Sequence, residues 1–319
     1  MTSKGMEKMN PSTIGVDISK DTLDAFRLRD GASRRFANDK AGHKALIKWI
    51  GKQEVRVVFE PTGAYHRAFE LALDRAGLPL VKVNPRQARR FAEATGQLAK
   101  TDHLDAALLA RMGAVLGLEP RPVASEVLGG LKELHIARLA LVKDRTAAKN
   151  RGKMQTLPLL KQLNAERLGH IEQQIEAIEA QIMAHIEADE SFARRFAILI
   201  SIPGISQTTA CALLIDMPEL GSLDAKEAAS LAGLAPVARQ SGRWTGRAFI
   251  RGGRSGVRQA LYMPSLVAAR FNQDLKAKYE QLVKAGKPAK VALIALMRKL
   301  VVLANALIKN NRKWAENAP

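Results

Sequence analysis

Cysteine is almost missing from this 319-residue chain. Cys211 stands alone, which rules out an internal disulfide and a cysteine-rich zinc site. It lies in an apolar stretch and reads as small core filler. Tyrosine is nearly as scarce: Tyr65, Tyr262 and Tyr279 are the only three, and no histidine follows His185. A tyrosine nucleophile with histidine assistance is therefore poorly supported. No apolar run is expected to approach the ~20 residues that cross a bilayer. The polar start MTSKGMEKMNPST lacks the apolar core of a secretory signal. Together these absences lead us to expect a soluble, cytoplasmic protein with no membrane partner.

Acidic residues are also few for the number of bases. Fifty Lys and Arg face 31 Asp and Glu, a formal net charge of +19, and the isoelectric point is near 10.2. A polyanion is the natural partner. The excess is concentrated: residues 191–319 carry 20 basic and 7 acidic side chains. That part is the stronger electrostatic footprint for nucleic acid.

Hydrophobic periodicity divides the chain into three parts. Residues 13–37 suggest three strands with a turn at Asp30-Gly31, followed by a helix over about 40–50 and the strand VRVVFE. A helix over about 66–76, a strand LPLVKV and helices across 85–116 complete an α/β domain with a mixed sheet, residues 1–124. Residues 125–190 carry long, charge-laced helices interrupted near Leu157-Pro158, as in IEQQIEAIEAQIMAHIEA. This pattern predicts an antiparallel helical hairpin or coiled-coil linker. Residues 191–319 form the third, mainly helical part.

Four of the scarce acids fall where an α/β unit would gather them. Asp17 interrupts the strand-like run STIGVDI, where an unsatisfied carboxylate is costly. Glu60 ends VRVVFE, and PTG turns the chain at once. Asp102 and Asp105 lie in KTDHLDAALLARM, where Thr101 is placed to cap a helix and the three-residue step puts both carboxylates on one face of its first turn. Singly, each acid also fits an ordinary role: a solvated edge position, a cap, a favourable helix start. Taken together, in the order strand, strand, helix, they fit a ribonuclease H-like site. Hard oxygen ligands from separate elements suit Mg²⁺ or Mn²⁺, and the set reads as a two-metal phosphoryl-transfer site.

The basic part has two features of its own. FAILISIPGISQTTACALLIDM pairs two apolar helices about Ile202-Pro203-Gly204-Ile205-Ser206 and resembles a helix-hairpin-helix element, in which hairpin amides near Gly204 would hold phosphate without reading bases. Further on, Arg239, Arg243, Arg247, Arg251, Arg254 and Arg258 occur with no intervening acid, among glycines and beside Trp244 and Phe249. Arginine forks bind phosphate, and glycine allows close backbone approach. Ser241 sits among these cations. By spacing alone it is a common serine in a glycine-rich turn, although nearby cations would stabilise its alkoxide.

The ordered set IGVDISKDTLD, FEPTGAYH, VNPRQARRFA, KTDHLDAALLA, SIPGISQTTA, LAGLAPVARQSG and VRQALYMPSL resembles the DEDD-type insertion-sequence transposases of the IS110 family, a group similar to the Piv DNA invertase. The resemblance spans nearly the whole chain, with Ser206 standing where the hairpin usually has a second glycine. It implies a RuvC-like domain, a coiled-coil connection and a C-terminal transposase domain. Asp17, Glu60, Asp102 and Asp105 would match its metal-binding acids, and Ser241 its nucleophile. It further implies strand cleavage through a serine–DNA link, strand exchange and rejoining between donor and target DNA, a noncoding guide RNA, and a homo-oligomer, dimer or tetramer. Two rival readings stand beside it: a RuvC-like metal-dependent nuclease that activates water, and a non-catalytic nucleic-acid-binding protein.

Overall fold

The computed structural model describes residues 12–51, 55–63, 65–97, 101–123, 125–246 and 248–315. The chain forms two compact units, Met1–Ala124 and Ser125–Pro319.

The first unit is a five-stranded mixed sheet with helices on both faces. Its strands are β1 (Ser12–Ile18), β2 (Thr22–Arg27), β3 (Ser33–Ala37), β4 (Val55–Phe59) and β5 (Leu80–Lys82), in the order β3-β2-β1-β4-β5. β1, β2 and β3 form an antiparallel meander, whereas β4 and β5 run parallel to β1. The expected meander over 13–37 is thus present.

The helices of this unit are α1 (Lys40–Ile50), α2 (His66–Arg75), α3 (Pro85–Ala94) and α4 (Asp102–Val115). Local chemistry starts three of them. Asp39 accepts from the Gly42 amide at 2.7 Å, Asn84 caps α3 with proline at its first position, and the Thr101 hydroxyl accepts from Leu104 N at 3.3 Å. Strand alternation then sorts the core. Val57 packs with Leu46, Ile50, Phe69 and Leu73 on the α1/α2 side, and Val58 with Leu109 and Met112 on the α3/α4 side.

α4 lies unusually close to β1. A Cβ on Gly15 would meet Ala106 O at 1.9 Å and Ala110 N at 2.5 Å, and one on Gly113 would meet Val58 Cγ2 at 2.5 Å. Small residues on both surfaces permit this approach. It determines where the first turn of α4 can reach.

The second unit opens with two long helices, α5 (Glu126–Met154) and α6 (Pro158–Ala188). Arg138 meets Glu179 at 2.6 Å and Lys149 meets Glu172 at 3.4 Å. Position rises along one helix as it falls along the other, so the hairpin is antiparallel. The hairpin is no detached spacer. Leu128 and Leu131 of α5 and Ile182 and Ile186 of α6 belong to the same core as the helices that follow.

Those helices are α7 (Glu190–Ile200), α8 (Gln207–Asp216), α9 (Ala225–Leu231), α10 (Ser255–Phe271), α11 (Gln273–Lys284) and α12 (Ala289–Lys309). Between α9 and α10 run four two-residue strands, β6 (Pro236–Val237), β7 (Gln240–Ser241), β8 (Trp244–Thr245) and β9 (Phe249–Ile250). β6 pairs with β9 and β7 with β8, both antiparallel.

α12 departs from the expectation that no segment could cross a bilayer. By length and apolar composition its 21 residues would suffice, but half of its apolar window is buried inside the protein. Leu296, Leu300, Val301, Ala304 and Leu307 line the core of the unit. A helix surrounded by other helices needs apolar residues on most sides, and composition alone cannot separate it from a membrane span.

Candidate active site and nucleic-acid interface

Alternation along β1 sends Ile14, Val16 and Ile18 into the α1/α2 core. Thr13, Gly15 and Asp17 therefore face α4. Because Gly15 lies against Ala106 and Ala110, Asp17, two residues further along the strand, lies toward the start of α4, where Asp102 and Asp105 occupy the first turn. Glu60 arrives from the other side. Phe59 is the register partner of Val16 in the parallel pairing, so Glu60 leaves β4 beside Asp17 at the carboxyl end of the strands.

The electrostatics report the same neighbourhood. The Asp17 carboxyl is pushed up to about 6, first by burial and then by the negative charges of Asp105, Asp102, Glu60 and Asp24. The four acids singled out from sequence thus share one field.

Two members of this neighbourhood escaped the sequence reading. Asp24 lies directly opposite Asp17 across the β1–β2 pairing, and Arg35 lies opposite Asp24 across β2–β3. Arg35 Nε donates to both Asp24 oxygens, at 2.9 and 3.2 Å, and its Nη2 lies 3.5 Å from Asp102 Oδ2. This arginine links the sheet edge to the first turn of α4. The signal was the register of the meander, which a single sequence leaves undetermined until the turns are known.

Carboxylates clustered around a buried Asp17 whose proton affinity their charges raise are chemically suited to a hard divalent cation, which would relieve the repulsion. Asp17, Glu60, Asp102 and Asp105 fit such an ion by donor type and by neighbourhood. A closed shell is not preformed: among the described residues no three His, Cys, Asp or Glu side chains are gathered for an ion. Asp102 is also 60% exposed and turned to Arg35.

In the second unit, Ser241 ends β7 and pairs with Trp244 across a two-residue turn, Gly242-Arg243. Gly242 has φ +56°, and glycine in the first central position is what a type II′ hairpin turn requires. Ser241, Arg243 and Trp244 are all exposed at this tip.

The arginines divide into two groups. Arg239 stacks over Phe249, 5.4 Å from the ring centroid, and Arg243 and Arg251 are exposed. Arg247 lies outside the described residues. Arg254 and Arg258 have structural work instead. Arg254 forms a two-pronged bond with Glu219, at 2.6 and 2.7 Å, and donates to Asp216 O at 2.7 Å. Arg258 donates to Gly252 O at 2.5 Å. These two brace the base of the arginine-rich segment, and their forks are engaged by protein. Sequence spacing could not reveal this, because Glu219 is 35 residues away.

The segment around Gly204 is a helix–turn–helix, α7 to α8. Ser206 caps α8, its hydroxyl accepting from Thr209 N at 3.4 Å. Gly204 has φ +99°, and a Cβ there would meet Pro264 O at 2.9 Å. The missing side chain thus accommodates α10, a use the sequence assigned to phosphate approach.

Two family models match the chain in order: a DEDD-type IS110 model described as transposase over residues 14–163, and one described as transposase IS116/IS110/IS902 family over residues 196–280. The protein is a DNA-modifying enzyme of the transposase and recombinase class. It belongs to the IS110 family of transposases. It is also similar to the pilin gene-inverting proteins of Moraxella bovis and Moraxella lacunata. Each is 29% identical over 322 residues, covering 96% of this chain and 98% of the relative.

Proposed function

We propose that this protein recombines DNA by metal-assisted strand cleavage, exchange and rejoining, with Ser241 as the nucleophile and with Asp17, Glu60, Asp102 and Asp105 holding Mg²⁺ or Mn²⁺. The first unit is read as RuvC-like: a meander followed by parallel strands, with acids at the strand ends and on a helix across them. The observation that carries the reading is the gathering of Glu60, Asp102 and Asp105 around Asp17 at the strand ends and the first turn of α4, where burial first and then their charges push the Asp17 carboxyl up to about 6. A carboxylate set held at that electrostatic cost needs a cation to offset it.

A divalent ion bound there would stabilise developing charge on the phosphodiester oxygens. The chain's own residues do the rest. The Ser241 oxygen attacks phosphorus, a P–O bond to serine forms, and the bond to the departing sugar oxygen breaks. The serine proton leaves to solvent, and the departing oxygen takes one up. The serine ester conserves the phosphodiester, so an incoming sugar hydroxyl can reverse the step on a new strand. Hydrolysis would discard that link. The Moraxella relatives are named for inverting a pilin gene, and inverting a DNA segment needs strands to be both cut and rejoined.

Arg239, Arg243, Arg247 and Arg251 are assigned to the DNA backbone. A noncoding guide RNA and a homo-oligomer complete the proposed assembly, with donor and target chosen by pairing rather than by residues of this chain.

The test combines purified protein, element-derived RNA, Mg²⁺ and end-labelled donor and target DNA on a denaturing gel. A protein–DNA adduct that disappears in both Ser241→Ala and Asp17→Ala supports the reading. Cleavage that survives Ser241→Ala without an adduct identifies a water-activating nuclease instead. Binding without any metal-dependent cut would leave only a nucleic-acid-binding protein.

A further inference from the structure

Trp244 is 58% exposed, yet its ring is held in place. A Cβ on Gly246 would lie 2.3 Å from Cη2, 2.8 Å from Cζ3 and 2.9 Å from Cζ2. Approach to the ring edge would leave the two neighbours much farther off than the nearest atom. The near-equal spacing therefore puts Gly246 under the face of the six-membered ring. One face of the indole rests on backbone, and with more than half of the residue exposed the opposite face is the side left to solvent. The backbone below is itself fixed, since Gly246 N donates to Arg239 O at 2.8 Å.

Ser241 and Trp244 are register partners. Partners directly opposite in an antiparallel pair project to the same side, with Cβ atoms roughly 5 Å apart. Arg243 occupies the turn between them, and Arg239 precedes β7 with its guanidinium held over Phe249. A phosphate at Ser241 would thus have cations around it and a flat aromatic surface one nucleotide away.

From this geometry we infer that the open face of Trp244 is a stacking subsite for an unstacked DNA base adjoining the phosphate held at Ser241. The inference rests on the assignment of Ser241 as nucleophile. A base inside a duplex has no free face, so the strand opens by a nucleotide at the cut, and the indole replaces the lost stacking partner. Stacking is indifferent to base identity, which suits an enzyme whose target is chosen elsewhere. Trp244 is a positioning residue in this scheme: it fixes the strand while Ser241 reacts.

The test uses the full chain with Ser241→Cys and a single-stranded oligonucleotide carrying a thiol tether on one internal phosphate. Cys211 is buried, and its thiol is pushed up to about 11 by that burial, so the mixed disulfide forms at position 241. The fluorescent base 2-aminopurine is placed on either side of the tethered phosphate. Severalfold quenching on one side is expected, lost in Trp244→Ala, partly kept in Trp244→Phe and lost in Gly246→Ala, whose methyl displaces the ring. Untethered oligonucleotide binding should weaken about ten- to a hundredfold in Trp244→Ala. Fluorescence unchanged by Trp244→Ala would overturn the inference, as would weaker binding without tethered quenching, which would place stacking elsewhere. Because the tether replaces the reaction, this outcome is independent of whether the wild-type serine forms an adduct. Absence of that adduct would instead remove the nucleophile assignment.

Discussion

Phe59 lies opposite Val16 in the parallel pairing of β4 with β1, and Glu60 therefore leaves its strand beside Asp17. The pairing converts two acids 43 positions apart into neighbours, and α4 supplies two more. A cation is the simplest relief for such a set.

Asp17 gives the first. Its folded pKa of about 6 lies above the ordinary 3.8, so the folded state binds the proton more tightly. The associated stability is fully present below about pH 4 and is lost as pH rises through 6. Above that, ionised Asp17 opposes folding by on the order of 1–2 kcal/mol without metal, a figure discounted for partial exposure. Asp17→Asn should stabilise chelator-treated protein at pH 8 and make little difference at pH 4. Thermal unfolding across this range checks it. Mg²⁺ should raise the melting temperature of the wild type at pH 8 far more than that of the variant.

Arg35 bridges Asp24 to Asp102 and places positive charge beside one of the four acids proposed to hold metal. Arg35→Ala should bind Mn²⁺ severalfold more tightly, measured by calorimetry at low salt. Asp24→Asn, which releases the same arginine, should weaken the link between sheet and helix without abolishing Mn²⁺ binding. Equal Mn²⁺ affinities in the wild type and Arg35→Ala would show that the arginine does not compete with metal.

Gly15 sets the distance between β1 and α4. An alanine methyl would fall 1.9 Å from Ala106 O, and backbone cannot yield as a flexible side chain does. Gly15→Ala should cost about 3 kcal/mol or more, read by denaturant unfolding. In whatever folds, Asp17 should titrate closer to its ordinary value, because the α4 acids have moved away.

Glu219 is pulled in two directions. Burial raises its pKa, and the Arg254 hydrogen bond and charge outweigh that, leaving it lowered. A depressed carboxylate contributes stability above its unfolded pKa of 4.5 and loses it as pH falls through the folded value. Glu219→Gln should destabilise the protein by about 1 kcal/mol at pH 7, a figure discounted for partial exposure. The two proteins should converge once pH falls below the folded, lowered value of Glu219.

Much of the first unit was legible in one dimension. Alternating apolar residues, Thr101 as a cap, and Asp30-Gly31 as a turn are local instructions. They act through contacts within a few residues, so order along the chain is enough to read them. The long helices on either side of Leu157-Pro158 were legible for the same reason. The acids could be named because each occupies a characteristic place at the end of a strand or the start of a helix.

The rest required the fold. Asp24 looked like any strand-borne acid until register placed it opposite Asp17. Arg254 and Arg258 looked like phosphate ligands until Glu219 and the Gly252 carbonyl were found in their forks. Gly204 resembled a phosphate-binding glycine until α10 was seen against it. α12 was not expected to reach membrane-spanning length, and packing turned its apolar faces into core. Propensities, caps, turns and net charge are carried by neighbouring residues and were determined by the sequence itself. Partner choice for a charged group depends on what lies within a few ångströms, and tertiary structure alone decides that, because the competing partners come from distant positions in the chain.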